Sequence, residues 1–258
     1  MKKILFSLAL LSGLQPVFAE DKKAKDADKV ILEMVAVAGG TFDMGADSEA
    51  VDRRPAHTVT LNNFNIGKYE VTEAQWMAVM GAFPSSYSYC DNCPITNVSF
   101  NDVQAFIEKL NAMSGKHYRL PTEAEWEFAA RGGVKEHMRK DNSDELVGRK
   151  YSGKVVLQYI AWFERNAKDH VHAVGKKDPN KLGAFDMTGN VEEWVNDWYN
   201  KDYFSKKDIT NPQGPEGGIS KVVRGGSWRS EADEVSVTRR AAYLPKEKSI
   251  SLGFRLAE

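Results

Sequence analysis

Cysteine is nearly absent: Cys90 and Cys93, in the phrase Cys-Asp-Asn-Cys-Pro, are the only two in 258 residues. Any thiol chemistry therefore falls on this one motif. Strands and helices do not alternate regularly around it, so a thioredoxin-like domain is unsupported. Three readings stay open: a structural disulfide closed in an oxidising compartment, a redox-active pair, or half of a metal site. A bias of charge is also missing. Thirty-five Lys and Arg stand against 36 Asp and Glu, well mixed, for a net charge of −1. No basic footprint is left for nucleic acid or for an anionic membrane. No apolar run after the N-terminus could span a bilayer, and no EF-hand loop is present.

The N-terminus carries what the rest of the chain lacks. Lys2-Lys3, the mostly apolar run Ile4 to Leu11 and then Val17-Phe18-Ala19 make a basic segment, an apolar segment and a small-residue cleavage site. Residues 1–19 are therefore expected to be a signal peptide cut before Glu20, giving a periplasmic or secreted protein without an integral membrane segment. No cysteine follows the apolar run, so a lipoprotein anchor is not expected. Residues 20–29 are Lys/Asp/Ala-rich and read as a polar tail. Residues 30–258 are expected to form one domain.

Within that domain, strands are expected over Val30–Val37, Thr41–Met44 and His57–Leu61, with a polar loop over Asp47–Arg54. His57 reads as a surface strand residue. Three helices carry start and stop signals. Thr72 with Gln75 is a capping box, and Gly81 stops that helix. Ser99 caps a second, whose Val103, Phe106, Ile107 and Leu110 share one face, and Gly115 ends it. Thr122 with Glu125 is a second capping box, with Trp126, Ala129 and Ala130 turned inward and Gly132 closing. The acids of these helices read as caps and solvated faces.

Candidate sites lie further on. In Leu182–Tyr199, Asp186, Gly189 and Glu193 punctuate an apolar and aromatic run. Carboxylates set in such a run need a partner. A hard cation is one, because calcium takes six to eight oxygens from carboxylates and from carbonyls that an irregular turn points inward. Gly189-Asn190 supplies the turn. The alternative is a surface turn with solvated acids. His170 and His172, two apart, would face one way on a strand, a spacing metals use, but no third ligand stands nearby. Val191, Trp194, Val195 and Trp198 fit a helical face by period.

Several phrases follow a known order: GGTFDMG (Gly39 to Gly45), YEVTEAQW (Tyr69 to Trp76), NVSFNDVQAF (Asn97 to Phe106), YRLPTEAEWEFAARGG (Tyr118 to Gly133), LGAFDMTGNVEEW (Leu182 to Trp194), RGGSW (Arg224 to Trp228) and GFRLA (Gly253 to Ala257). In this the chain resembles the formylglycine-generating enzyme family, the sulfatase-modifying factors. The resemblance implies an α+β, irregular C-type-lectin-like fold with little regular secondary structure, and a core strand rather than a helix at Val191–Trp198. It implies a calcium site made by the Asp186 and Glu193 side chains with the Gly189 and Val191 carbonyls. A second calcium site of the family has no clear match around Ile160–Asn166. Residues 133–151 lack the Tyr-Pro-Trp-Gly phrase of many members.

The same resemblance implies what is missing. In the oxygen-dependent enzymes two cysteines after the RGGS phrase bind copper and oxidise a substrate cysteine. Those positions fall here on Ser230 and Val235, neither of which offers a thiolate, so copper is not expected. Two functions follow as expectations. One is a calcium-stabilised accessory module that binds a protein or peptide, less readily a glycan, through loops near Ser230–Glu234 and Tyr243–Lys248. The other is a cysteine-independent periplasmic oxidase, similar to relatives in pyoverdine maturation, with Ser230, Arg229, Arg239 and Arg240 near the ancestral site. Arginine there could hold a substrate carboxylate or pair with local acids. Relatives that make ergothioneine hold iron largely on an extra helical domain, for which this chain is expected to be too short.

Overall fold

The structure is a computed structural model that describes residues 30, 32–47, 50–84, 90–133, 151–152, 156–205 and 209–258. The expected signal peptide (1–19), the polar tail (20–29) and nearly all of the polar stretch 133–151 lie outside the described residues.

Short strands come first: β1 (Met34–Val37), β2 (Gly40–Met44), β3 (His57–Leu61) and β4 (Phe64–Gly67). Helices α1 (Glu73–Met80), α2 (Phe100–Ser114) and α3 (Glu123–Ala130) follow, then the single turns α4 (Leu157–Ile160) and α5 (Glu164–Ala167). The C-terminal part adds β5 (Glu192–Trp198), β6 (Ile209–Thr210), β7 (Lys221–Arg224), β8 (Arg240–Tyr243) and β9 (Leu252–Phe254). β1 pairs with β4; β2, β3 and β6 form a second sheet; and the largest sheet runs β8-β7-β5-β9, with β5 and β9 parallel.

Local chemistry sets the three longer helices. Thr72 Oγ1 accepts from the Gln75 amide while the Thr72 amide donates to Gln75 Oε1. Ser99 with Asp102 and Thr122 with Glu125 close the same reciprocal box. Each box satisfies amide donors that the first turn leaves unpaired, worth on the order of 1 kcal/mol per cap. Gly81 and Gly115, at φ 78° and 69°, end α1 and α2 in the left-handed conformation that glycine adopts without steric cost.

Two apolar clusters make the core. One gathers β2, β3, β4 and α3 with Phe204; the other gathers α1, α2 and β9 with Trp76, Phe106 and Phe254. β5 runs between them, sending Val195 into the first and Trp194 into the second. Both its faces are buried over Glu192–Val195, which erases the alternation of an ordinary strand and leaves a helix-like spacing.

Three expectations need correction. His57 is not at the surface: it is 6% exposed and packs edge-on against Phe204, with ring centroids 4.7 Å apart. The acids of α3 are not solvated, since every residue from Glu123 to Ala130 is buried. Asp47–Arg54 is not wholly irregular, because Val51–Arg53 forms a 3-10 turn.

Candidate functional site

The Asp186–Glu193 stretch is a tight turn leading into β5. Asp186, Gly189 and Asn190 all hold positive φ, at 55°, 79° and 60°. At Gly189 a Cβ would sit 2.2 Å from the Trp162 carbonyl oxygen, so only glycine fits there. Asn190 ties the turn on both sides: its amide donates to the Trp162 carbonyl, and its own carbonyl accepts from the Trp228 amide.

Three buried carboxylates meet behind this turn. Glu193 accepts from Arg255 Nε at Oε2 (2.7 Å), from Arg255 Nη2 at Oε1 (2.6 Å) and from Trp126 Nε1 at Oε2 (2.7 Å). Glu70 accepts from the Val191 amide and from Asn190 Nδ2. Asp186 Oδ2 accepts from the Gly175 amide at 2.7 Å, and its Oδ1 is buried without a hydrogen-bond partner. Burial pushes the Glu70 carboxyl well up, helped by repulsion from Asp186 and Glu193. Burial likewise raises Asp186 to about 6. One guanidinium, that of Arg255, faces all three acids from within, with Lys177 adding a weaker field at Asp186.

The donors of this cluster are oxygens, the kind a hard cation takes, although Arg255 already compensates Glu193. Asp186 Oδ1 is an oxygen in want of a partner, and Glu193 Oε1 keeps one lone pair beyond its bond to Arg255. Among the described residues no three His, Cys, Asp or Glu side chains are grouped to hold a metal ion. A metal here would therefore rely on backbone carbonyls such as those of Gly189 and Val191, which suits calcium rather than a soft ion.

Ser230 and Val235, which the family resemblance set against the copper cysteines, are packed into the fold. Ser230 is 8% exposed, its Oγ accepts from the Ser227 amide at 3.1 Å, and its carbonyl accepts from the Glu164 amide. Val235 is fully buried against Ile160, Ala161 and Phe163. The three nearby arginines part company. Arg240 is buried and forks onto Glu123, Nε to Oε1 at 2.6 Å and Nη2 to Oε2 at 2.8 Å. Arg239 pairs with Glu234 at 3.2 Å. Arg229 is exposed and lies over the Trp228 ring, so it alone of the three projects outward. Of the two expectations for Arg239 and Arg240, pairing with local acids is the one seen, and the Arg240 fork is occupied.

Glu123 and Glu127 of α3 complete a second buried ionic cluster. Arg224 reaches both, and Arg131 pairs with Glu127. Asp197 accepts from the Glu123 amide at 2.8 Å, and burial together with repulsion from Glu123 pushes its carboxyl up to about 8.

His170 Nδ1 and His172 Nε2 each bond a backbone carbonyl, of Lys168 and Ala167, and His172 stacks on Trp162 at 3.7 Å. The sulfurs of Cys90 and Cys93 are bonded, with Cα atoms 5.3 Å apart, far from Ser230 in sequence. Glu70, Arg255 and Arg224 belong to no motif with a chemical signature of its own. The available signal was a single charge inside an otherwise apolar phrase, as in Tyr-Glu-Val and Gly-Phe-Arg-Leu.

Comparison with known proteins places these features. The chain is 28% identical to a formylglycine-generating enzyme of Thermomonospora curvata, over 94% of this chain and 98% of that one. It is 29% identical to a chaperone protein, LppX, of Paenibacillus barcinonensis, over 91% of this chain and 90% of that protein. It is 29% identical to the serine/threonine-protein kinase pkn1 of Chlamydia pneumoniae over 98% of its own length, but spans only 43% of that relative. Among solved structures, Treponema denticola variable protein 1 superposes with a TM-score of 0.76 at 30% identity, over 87% of this chain and 94% of that one. PvdO from Pseudomonas aeruginosa superposes with a TM-score of 0.72 at 28% identity, over 89% and 95%. The expected α+β fold of the formylglycine-generating-enzyme type, modest in regular secondary structure, is the one found. With residues 19–258 matched by the family model, the chain belongs to the sulfatase-modifying factor enzyme 1-like domain family.

Proposed function

We propose that this protein is a periplasmic accessory module, stabilised by calcium, which binds a protein or peptide partner and carries out no copper–cysteine oxidation. One observation carries the reading: Ser230 and Val235, the positions that counting from the Arg-Gly-Gly-Ser phrase sets against the family's copper ligands, are a hydrogen-bonded serine and a fully buried valine, and the chain's only two cysteines are joined to each other. Neither position presents a soft ligand or an ionisable thiol to substrate.

What remains at that end of the molecule is surface. Arg229, Glu231 and Asp233 are exposed on one loop, and Tyr159, 54% exposed, stands on α4, whose Ile160 packs with Val235. Mixed charge beside exposed aromatic area suits a polypeptide partner more than a buried small ligand. Likeness to a protein named as a chaperone supports the same reading. Calcium would act through Asp186, Glu193 and the Gly189 and Val191 carbonyls, holding the turn on which β5 begins. It supplies charge compensation to the buried acids.

A photo-crosslinking residue placed at Glu231 tests the binding face, with one at Ile219, 82% exposed on another loop, as the control. Specific adducts at position 231 alone are expected; equal labelling at both would remove the assigned face. The oxidase reading draws support from the likeness to PvdO. It is the weaker reading, because Arg240 is committed to Glu123 and Ser230 to Ser227.

A further inference from the structure

The Cys-Asp-Asn-Cys motif takes no part in the function above, yet its setting is asymmetric. Cys93 is 8% exposed, whereas Cys90 is half-buried and the two residues between them are exposed. Cys90 is therefore the more exposed residue of the two, and the one a partner chain meets first. The motif packs at the start of α1: the Glu73 amide donates to the Cys93 carbonyl, the Ala74 amide to the Asp91 carbonyl, and the Cys90 amide to Glu73 Oε2 at 2.8 Å.

A groove of about 590 Å³ adjoins the motif through Asn92, with the two cysteines themselves outside its lining. Asn92, between the cysteines, lines it with Thr72 and Gln75 of the α1 cap, Tyr69, Glu33 and Lys176. The Val174 amide donates to the Asn92 carbonyl, fixing the far wall against the motif. An aromatic wall, an acid, a base and side-chain amides arranged along an open trough suit an extended polypeptide better than a compact apolar ligand.

We propose that Cys90 and Cys93 are a thiol–disulfide exchange site for a cysteine-bearing polypeptide that lies along this groove and passes over Asn92 to the pair. A substrate thiolate attacks Cys90 Sγ; the Cys90–Cys93 bond breaks, and its electron pair leaves on Cys93 Sγ, which takes up a proton. A second substrate thiolate then attacks the substrate sulfur of the mixed disulfide and releases Cys90 as a thiol. The substrate dithiol loses two electrons and the protein pair gains them. A small-molecule disulfide such as oxidised glutathione restores the pair by the reverse exchange. This is independent of the binding face near Ser230.

The test uses the full, oxidised chain and a synthetic peptide with two cysteines, followed by mass spectrometry. The protein is expected to oxidise the peptide roughly ten times faster than oxidised glutathione does at the same concentration. With a single-cysteine peptide, Cys93→Ser whose Cys90 has first been charged as its mixed disulfide with glutathione should exchange onto the peptide, forming the Cys90–peptide disulfide and releasing reduced glutathione; Cys90→Ser charged in the same way on Cys93 should trap the peptide at least about tenfold more slowly. A peptide that stays reduced with the wild-type chain, or equal trapping by the two variants, would overturn the assignment. The wild-type arm needs no variant to fold.

Discussion

Arg255 holds Glu193 through two parallel hydrogen bonds of 2.7 and 2.6 Å, with both side chains essentially out of solvent. The pair joins β9 to β5, and Trp126 of α3 adds a third bond to the same carboxylate. Removing one partner of such a pair strands the other as an uncompensated buried charge, which costs about 3–5 kcal/mol. Glu193→Gln is therefore expected to lose that much stability even with calcium chelated. With calcium added, the wild-type chain should gain melting temperature and the variant should gain none. Thermal melts with and without chelator decide it, and a variant that still responds fully to calcium would remove Glu193 from the ligand set.

Arg240 and Arg229 separate architecture from surface. Arg240→Ala breaks the fork onto Glu123, and a loss of about 3–5 kcal/mol is expected. Arg229→Ala touches only an exposed cation over Trp228 and should stay within about 0.5 kcal/mol of wild type while weakening partner binding. Denaturant melts of both variants check the contrast. An Arg240→Ala chain of wild-type stability would mean that the fork is not structural.

Asp197 predicts a pH dependence whose sign follows from its burial. Its carboxyl is raised from 3.8 to about 8 by burial, so between those values the folded chain keeps a proton that the unfolded chain has released. Stability contributed by this group thus falls as pH rises through that window. Asp197→Asn keeps an oxygen for the Glu123 amide and removes the titration. The variant is expected to match wild type near the acid end and exceed it near about pH 8, flattening the slope. Melting curves across this range that stay parallel for the two proteins would contradict a buried neutral Asp197.

Gly189→Ala probes the turn itself. Its φ of 79° and the 2.2 Å approach to the Trp162 carbonyl leave no room for a methyl group. A loss of at least about 1–3 kcal/mol is expected, because strained backbone and a steric clash add. Because the same carbonyl anchors Asn190, the calcium response should weaken with it. A neutral substitution would show that the turn yields more readily than its geometry indicates.

Local features were the most legible. All three caps were readable because a capping box is a contact between residues three apart. The partners of buried charges were not. Glu123 meets Arg224 and Arg240 across 101 and 117 residues, so its acid was read as a solvated face. The turn Asp186–Asn190 was legible in its glycine and its carboxylates, whereas Glu70 and Arg255, which complete the cluster, belong to distant phrases. β5 was read correctly only through family resemblance. Its period misled because residues on both faces are buried, so the apolar pattern carries no strand alternation.

The most direct measurement is metal per chain, by elemental analysis of the mature protein purified from a periplasm without chelators. Calcium near one per chain with no copper or iron is the result expected of a stabilised binding scaffold. Copper or iron near one per chain would contradict it, and would restore a redox centre to a fold whose ancestral thiolate positions are Ser230 and Val235.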